Sequence, residues 1–154
     1  MTGATLPVVI AHDRAQCLAA ARAAATLGLP VRVETPGALA LALGPMWMRA
    51  FLDSLAAEGG IPAAEFAFGC GPHAGLAMAG LRLKLPGLRF EPAAGSPARL
   101  ANVLAEIAAR ERCALALGPP PADAFRFPPP AGPPDSAALL AAASGGLAGF
   151  AERP

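Results

Sequence analysis

Hydrophobic and polar positions follow two different periods along the chain, and the change from one to the other predicts strands that alternate with helices. Short apolar runs typical of buried strands are separated by longer segments in which apolar residues recur at helical spacing. The predicted strands cover residues 7–11, 31–34, 66–68, 88–91 and 113–117. We therefore predict a three-layer α/β fold, flavodoxin-like or Rossmann-like, with five mainly parallel strands.

Capping residues predict the helix boundaries. Asp13 is placed to cap a helix, with Gln16 three residues later as its capping-box partner, and that helix is expected to end at Gly28. Pro45 divides the helical region 38–59 in two, because proline is tolerated in the first turn of a helix.

The second half of that region carries an apolar stripe. It consists of Trp47, Met48, Phe51, Leu52 and Leu55. Core packing is the ordinary explanation of a stripe at helical spacing. A subunit interface is the alternative, because Trp and Met are enriched at interfaces.

Residues 81–90 can be interpreted in two ways. Their alternation fits a hairpin about Pro86 and Gly87, although that pair matches the favoured hairpin turns poorly. We prefer a helix that ends near Lys84 and a parallel strand after it, which leaves room for a crossover connection. Ser96 is then expected to cap the next helix.

The C-terminal part of the chain is rich in proline. Residues 119–134 lack many backbone donors and are predicted to be extended. We divide the chain into an α/β domain, residues 1–118, and a proline-rich arm with a short helix, residues 119–154. Phe125 and Phe127 would be unusual in a solvated linker, so we expect them to anchor the arm on its own domain or on a neighbouring subunit.

The glycine-rich turn after the third predicted strand is the first candidate for a site. Its candidate ligand-binding residues are Gly69, Cys70, Gly71, His73 and Gly75. Glycines allow a ligand to approach the backbone, and a helix that begins near His73 would direct unpaired N–H groups at an anion. The spacing G-x-G-x-x-x-G differs from the dinucleotide fingerprint, so no dinucleotide cofactor is predicted. A tight turn without a ligand would need the same glycines.

Polar residues also follow the other predicted strands. His12 and Asp13 come after the first strand, Glu34 ends the second, and Glu91 ends the fourth. Parallel sheets bind ligands beyond the carboxyl ends of their strands, so His12, Asp13 and Glu34 join the candidate ligand-binding residues. Such loops are also polar simply because they are solvated.

Three kinds of chemistry could use this edge. Cys70 near a helix N-terminus would have a lowered pKa, and a histidine could pair with it to give a nucleophile. Cys70, His73 and His12 with a carboxylate could hold zinc. The third possibility is that backbone N–H groups of the turn, with His73, bind a phosphate or carboxylate of a small metabolite, which requires the fewest assumptions.

The opening segment, residues 7–39, loosely resembles the start of small barrel aldolases that use a lysine. The resemblance raises a Schiff-base role for Lys84, the single lysine. The chain is too short for a full barrel, and Lys84 lies close to Arg82 at a predicted helix end, where a solvated cation is expected. We therefore assign no family.

Charge and composition limit the partners. A formal net charge of +1 with 15% charged residues offers no basic surface for nucleic acid. No apolar stretch has the length and character of a membrane span. Low charge with much apolar surface predicts a homo-oligomer, through Trp47, Phe51 or the Phe125 and Phe127 arm.

The three cysteines form no disulfide framework, which predicts a cytoplasmic location, and the preference for Arg over Lys suggests a bacterial source. The combined features predict a small non-catalytic domain that binds an anionic metabolite at the strand ends or acts through oligomer contacts. The alternative is an enzyme that uses Cys70, His73 and His12 as nucleophile and base or as a metal site. That alternative requires His12 to meet the glycine turn.

Overall fold

The computed structural model describes residues 6–59 and 65–152. Its strands are β1 (Val8–Ile10), β2 (Arg32–Thr35), β3 (Phe66–Gly69), β4 (Gly87–Phe90), β5 (Ala114–Leu117) and β6 (Phe125–Arg126). Its helices are α1 (Arg14–Leu27), α2 (Gly37–Leu43), α3 (Pro45–Ala57), α4 (Ala74–Arg82), α5 (Ala98–Glu111) and α6 (Ser136–Ala151).

The strands form one parallel sheet in the order β5-β4-β3-β2-β1-β6. The predicted class is confirmed: a parallel sheet flanked by helices, consistent with flavodoxin-like and Rossmann-like folds. The sheet has a sixth strand that the sequence did not predict, because β6 is only two residues long and lies within the proline-rich segment. This strand pairs with β1, so the chain returns to the far edge of the sheet after β5.

The predicted cap of α1 is confirmed. The carboxylate of Asp13 accepts a hydrogen bond from the backbone N–H of Gln16 at 2.8 Å, and Gln16 Oε1 accepts one from the backbone N–H of His12 at 2.7 Å. The helix ends at Gly28, whose φ of +62° is in the left-handed region that favours glycine. Local side-chain chemistry therefore sets both ends of this helix.

The main apolar core lies between the sheet and the helices. Trp47 and Phe51 on α3 stack at 4.7 Å between ring centroids, and Phe51 lies 5.9 Å from Phe66 and 6.3 Å from Phe68. Phe51 and the two β3 phenylalanines are buried, while Trp47 is partly buried. The stripe on α3 thus packs within the chain, as core packing predicts.

Residues 81–90 form the end of a helix and a parallel strand, and the hairpin alternative is wrong. β4 pairs in parallel with both β3 and β5. Lys84 lies in the connection with a φ of +55°, and its exposed ammonium group forms an ion pair with Glu111. The N-cap position of the helix after β4 is Pro97, one residue later than the expected cap at Ser96, and no side chain caps this helix.

The proline-rich segment is packed against the domain. Phe127 is 2% exposed, and its ring contacts that of Phe125 edge-on at 5.0 Å. The side-chain amide of Gln16 donates to the carbonyl of Pro128 at 2.8 Å. The following helix, α6, extends to Ala151 and packs on α1, so it is longer than the short helix that we predicted. Within the described part of the chain, no helix has the length and apolarity needed to cross a membrane.

Candidate functional site

One face of the sheet carries charged side chains, of which Glu34 and Arg89 are buried and Arg126 is exposed. Neighbours in register on this face are Arg126, Ile10, Glu34 and Ala67, and then Gly69, Arg89 and Ala116. Neighbouring strand residues in register point to the same side of a sheet. The charged members come from β2, β4 and β6, while β1, β3 and β5 contribute small or apolar residues.

Glu34 is the centre of an ion network on this face. Its Oε2 accepts a hydrogen bond from Arg89 Nε at 2.6 Å, and its Oε1 accepts from Arg89 Nη2 at 2.9 Å and from Arg32 Nε at 2.7 Å. The carboxylate is 1% exposed and the Arg89 side chain 8%. A carboxylate with this many charged donors is held in one orientation.

The sheet curves so that this face is concave. Arg32 on β2 donates through Nη2 to the carbonyl of Leu88 on β4, at 3.2 Å, and to that of Ala114 at the start of β5, at 3.4 Å. In a flat sheet β2 and β5 would lie roughly 14 Å apart, because neighbouring strands are spaced by about 4.8 Å. A single arginine side chain reaches both carbonyls only when the strands fold toward it.

A cavity of about 320 Å³ lies on this face at the carboxyl ends of the strands. Its lining comprises Ile10, Glu34, Thr35, Pro36, Gly37, Gly69, Arg89, Glu91, Pro119, Pro120 and Arg126. Thr35 is 2% exposed, and within the described residues its Oγ1 has no hydrogen-bond partner. The cavity therefore combines charged groups, a buried hydroxyl and apolar walls.

A strap, residues 118–124, connects the two edge strands and contributes to the cavity wall. Arg89 Nη1 donates to the carbonyl of Gly118 at 3.1 Å and to that of Pro119 at 3.2 Å. Pro119 and Pro120 line the cavity. Arg89 thus connects three parts of the site: the Glu34 carboxylate, the cavity and the strap.

The glycine turn has a structural explanation. A Cβ at Gly69 would overlap the carbonyl oxygen of Thr35 and would lie 2.7 Å from the nitrogen of Gly37, both backbone atoms that cannot move cheaply. Gly71 has a φ of +53°, whereas a Cβ at Gly75 would meet open space among the described residues. Two of the three glycines are therefore required by close approach or backbone conformation, and Gly69 also borders the cavity.

Cys70 does not have the environment of a nucleophile. The residue is 0% exposed, and burial raises the pKa of its thiol from 9.0 to about 12, with a smaller contribution from Cys113. The expected lowering of this pKa by a helix N-terminus is wrong, because desolvation dominates. The thiol is protonated at neutral pH.

The two histidines follow strands that are not neighbours, since β2 lies between β1 and β3. The backbone N–H of His12 donates a hydrogen bond to Gln16 Oε1. The backbone N–H of His73 donates one to the carbonyl of Cys70 at 3.2 Å. Across residues 6–59 and 65–152, no group of three or more His, Cys, Asp or Glu side chains is placed to hold a metal ion. Asp13 serves as the cap of α1.

Of the candidate residues, Glu34 and Gly69 line the cavity, whereas His12, Asp13, Cys70, Gly71, His73 and Gly75 are not among its lining residues. Arg89 and Arg126 were not among the residues predicted from the sequence. Arg89 had a visible signal, since a charged residue between Leu88 and Phe90 interrupts an otherwise apolar strand. Arg126 lies in a strand too short to be predicted.

A larger cavity, of about 510 Å³, lies between α1 and α6. None of its lining residues belongs to the charged face. Its walls include Leu18 and Arg22 of α1 and Leu140 of α6, and the Arg14 and Glu58 side chains on its rim form an ion pair. This cavity lies between helix surfaces, and two of its charged residues, Arg14 and Glu58, are paired with each other. We therefore place the candidate site at the strand ends.

Comparison of the chain with protein-family models, with curated proteins and with solved structures gave no match.

Proposed function

We propose that this protein binds a small anionic metabolite in the cavity at the carboxyl ends of the strands and catalyses no reaction. The observation that carries the proposal is the charge around the cavity. Two arginines, Arg89 and Arg126, line it; Arg89 is already paired with Glu34, whereas Arg126 has no ion-pair partner in residues 6–59 or 65–152. An anionic group on a ligand would neutralise the Arg126 charge.

The location and size of the cavity support a small ligand. Parallel sheets bind ligands beyond the carboxyl ends of their strands. A volume of about 320 Å³ corresponds to the lower end of the range for small-molecule sites, roughly 300–1,000 Å³. The three free, buried cysteines suit a reducing compartment, so we propose a cytoplasmic location.

The enzyme alternative has less support. It requires Cys70 to ionise and both histidines to meet it, but burial raises the pKa of Cys70 to about 12 and β2 separates the two loops that carry the histidines. None of these three residues, Cys70, His12 and His73, lines the charged cavity. Binding without catalysis therefore explains the charged cavity, whereas the enzyme alternative does not use it.

Removing the Arg126 charge is expected to weaken anion binding. Citrate, malonate and phosphate are titrated into the protein by calorimetry, and Arg126→Gln should lower the affinity of each anion that binds by about tenfold or more, as expected for a lost charged hydrogen bond. Arg110→Gln, an equal change of charge on the exposed face of α5, is the matched control and should leave affinity unchanged. Equal affinity for both variants contradicts the proposal, and so does a failure to bind any small ligand that carries a carboxylate or phosphate group.

Homo-oligomer formation is a second proposal, favoured by exposed apolar side chains. Leu41, Leu43 and Met46, at the junction of α2 and α3, are 57%, 50% and 69% exposed. Phe51 and Phe127 are buried within the chain, so we propose that subunit contacts use this junction with the neighbouring Trp47. Light scattering on the purified protein should give a mass above 15.3 kDa, and Met46→Glu should lower it. A monomeric wild-type protein would contradict this.

A further inference from the structure

We infer that the ligand of the cavity is a zwitterion, a small α-amino acid with an aliphatic side chain, whose carboxylate binds Arg126 and whose ammonium group binds Glu91. The inference rests on the proposed binding function and specifies its ligand. It depends on two side chains of opposite charge that line one cavity, and neither has an ion-pair partner in residues 6–59 or 65–152.

Glu91 and Arg126 reach the cavity from different parts of the sheet. Glu91 follows β4, where its backbone N–H donates to the carbonyl of Gly71 at 2.9 Å, and it is partly buried. Arg126 ends β6, beside Ile10 in register. β3, β2 and β1 lie between β4 and β6, and residues from both sides of these strands line the same cavity.

The other charged groups of the cavity are already engaged. Glu34 accepts three hydrogen bonds from arginines, and Arg89 donates to both oxygens of Glu34 and to two carbonyls of the strap. A ligand that displaced these bonds would leave buried groups unpaired, which is costly. Recognition of charge on a ligand therefore falls to Glu91 and Arg126.

The remaining walls suit an aliphatic group. Ile10, Pro36, Pro119 and Pro120 line the cavity, and the three prolines have no backbone N–H to offer a polar ligand. Gly37 and Gly69 contribute backbone without side chains. A ligand with one cationic group, one anionic group and a short apolar side chain matches all three kinds of surface.

Three probes of the same carbon skeleton separate the two charges: L-leucine, 4-methylpentanoate, which lacks the amine, and 3-methylbutylamine, which lacks the carboxylate. Calorimetry with the full chain should show leucine binding at least about tenfold more tightly than either analogue, as one charged hydrogen bond predicts. Glu91→Gln should reduce leucine affinity to that of 4-methylpentanoate and leave the latter unchanged. Glu106→Gln, on the exposed surface of α5, is the matched control and should change neither.

The outcomes distinguish this inference from the proposed function. Equal binding of leucine and 4-methylpentanoate, or leucine binding that is unaffected in Glu91→Gln, overturns the zwitterion. Binding of citrate, malonate or phosphate with no binding of leucine also overturns it, while the anion site stands. If none of the anions or amino-acid probes binds, both the zwitterion and the proposed function are overturned.

Discussion

Replacing Glu34 with glutamine should lower the free energy of unfolding by about 3–5 kcal/mol, the usual cost of leaving a buried ion pair with one partner. Glu34 is the shared counter-ion of two arginines, and Arg89 is buried with it. The substitution preserves the shape of the side chain but removes its negative charge. Both guanidinium groups would then repel each other in a low-dielectric environment, with no carboxylate between them.

Urea unfolding followed by circular dichroism measures this change. The control is Asp53→Asn, which breaks the exposed Arg49–Asp53 ion pair on α3 and should cost at most about 0.5 kcal/mol, because exposed pairs contribute little. A Glu34→Gln protein as stable as the Asp53→Asn protein would show that the network does not hold the two arginines as described.

A double substitution tests the same network by removing both partners of the buried ion pair. In Glu34→Leu with Arg89→Met, neither a buried anion nor its buried arginine remains, and apolar replacements of whole ion pairs are often neutral. The double variant should therefore be more stable than Glu34→Leu alone. The strap would lose its two hydrogen bonds from Arg89, so a remaining deficit relative to the wild type measures that connection.

Elements with local signals could be predicted from the sequence. Asp13 and Gln16 define the start of α1 within four residues of chain, and Gly28 defines its end, so no distant contact is needed to recognise them. β6 has no such signal. Its two residues become a strand only because they pair with β1, which lies more than a hundred residues earlier in the chain.

The candidate site also combines residues that have a local sequence signal with residues that only distant contacts bring together. Glu34 could be selected because it ends a predicted strand, but its partner Arg89 lies 55 residues away. Only the strand order and curvature bring the two together. Likewise, Cys70 was assigned a lowered pKa from its place before a helix, whereas the structure buries it completely. Burial depends on packing of the whole chain, so the direction of the shift could not be derived locally.

Buried thiols should make the fold unusually sensitive to alkali. Burial raises the pKa of Cys70 to about 12 and that of Cys113 to about 11, in both cases from 9.0, and it raises the pKa of Cys17 as well. Above pH 9 the unfolded chain loses these protons while the folded protein keeps them. The stability that the neutral thiols provide is therefore complete below pH 9 and is lost as the pH rises toward the folded pKa values.

Each thiol should lower the free energy of unfolding by at most about 1.4 kcal/mol per pH unit, so the three together approach about 4 kcal/mol per unit near pH 10, where the unfolded thiols are ionised and the folded thiols are not. The chain has no tyrosine and a single lysine, so few other groups titrate in this range. Urea midpoints measured from pH 7.5 to pH 10.5 should fall steeply in the wild type. A variant with Cys17→Ala, Cys70→Ala and Cys113→Ala should lose most of the slope, whatever its stability at neutral pH. Equal slopes would mean that the thiols are not buried as the structure places them.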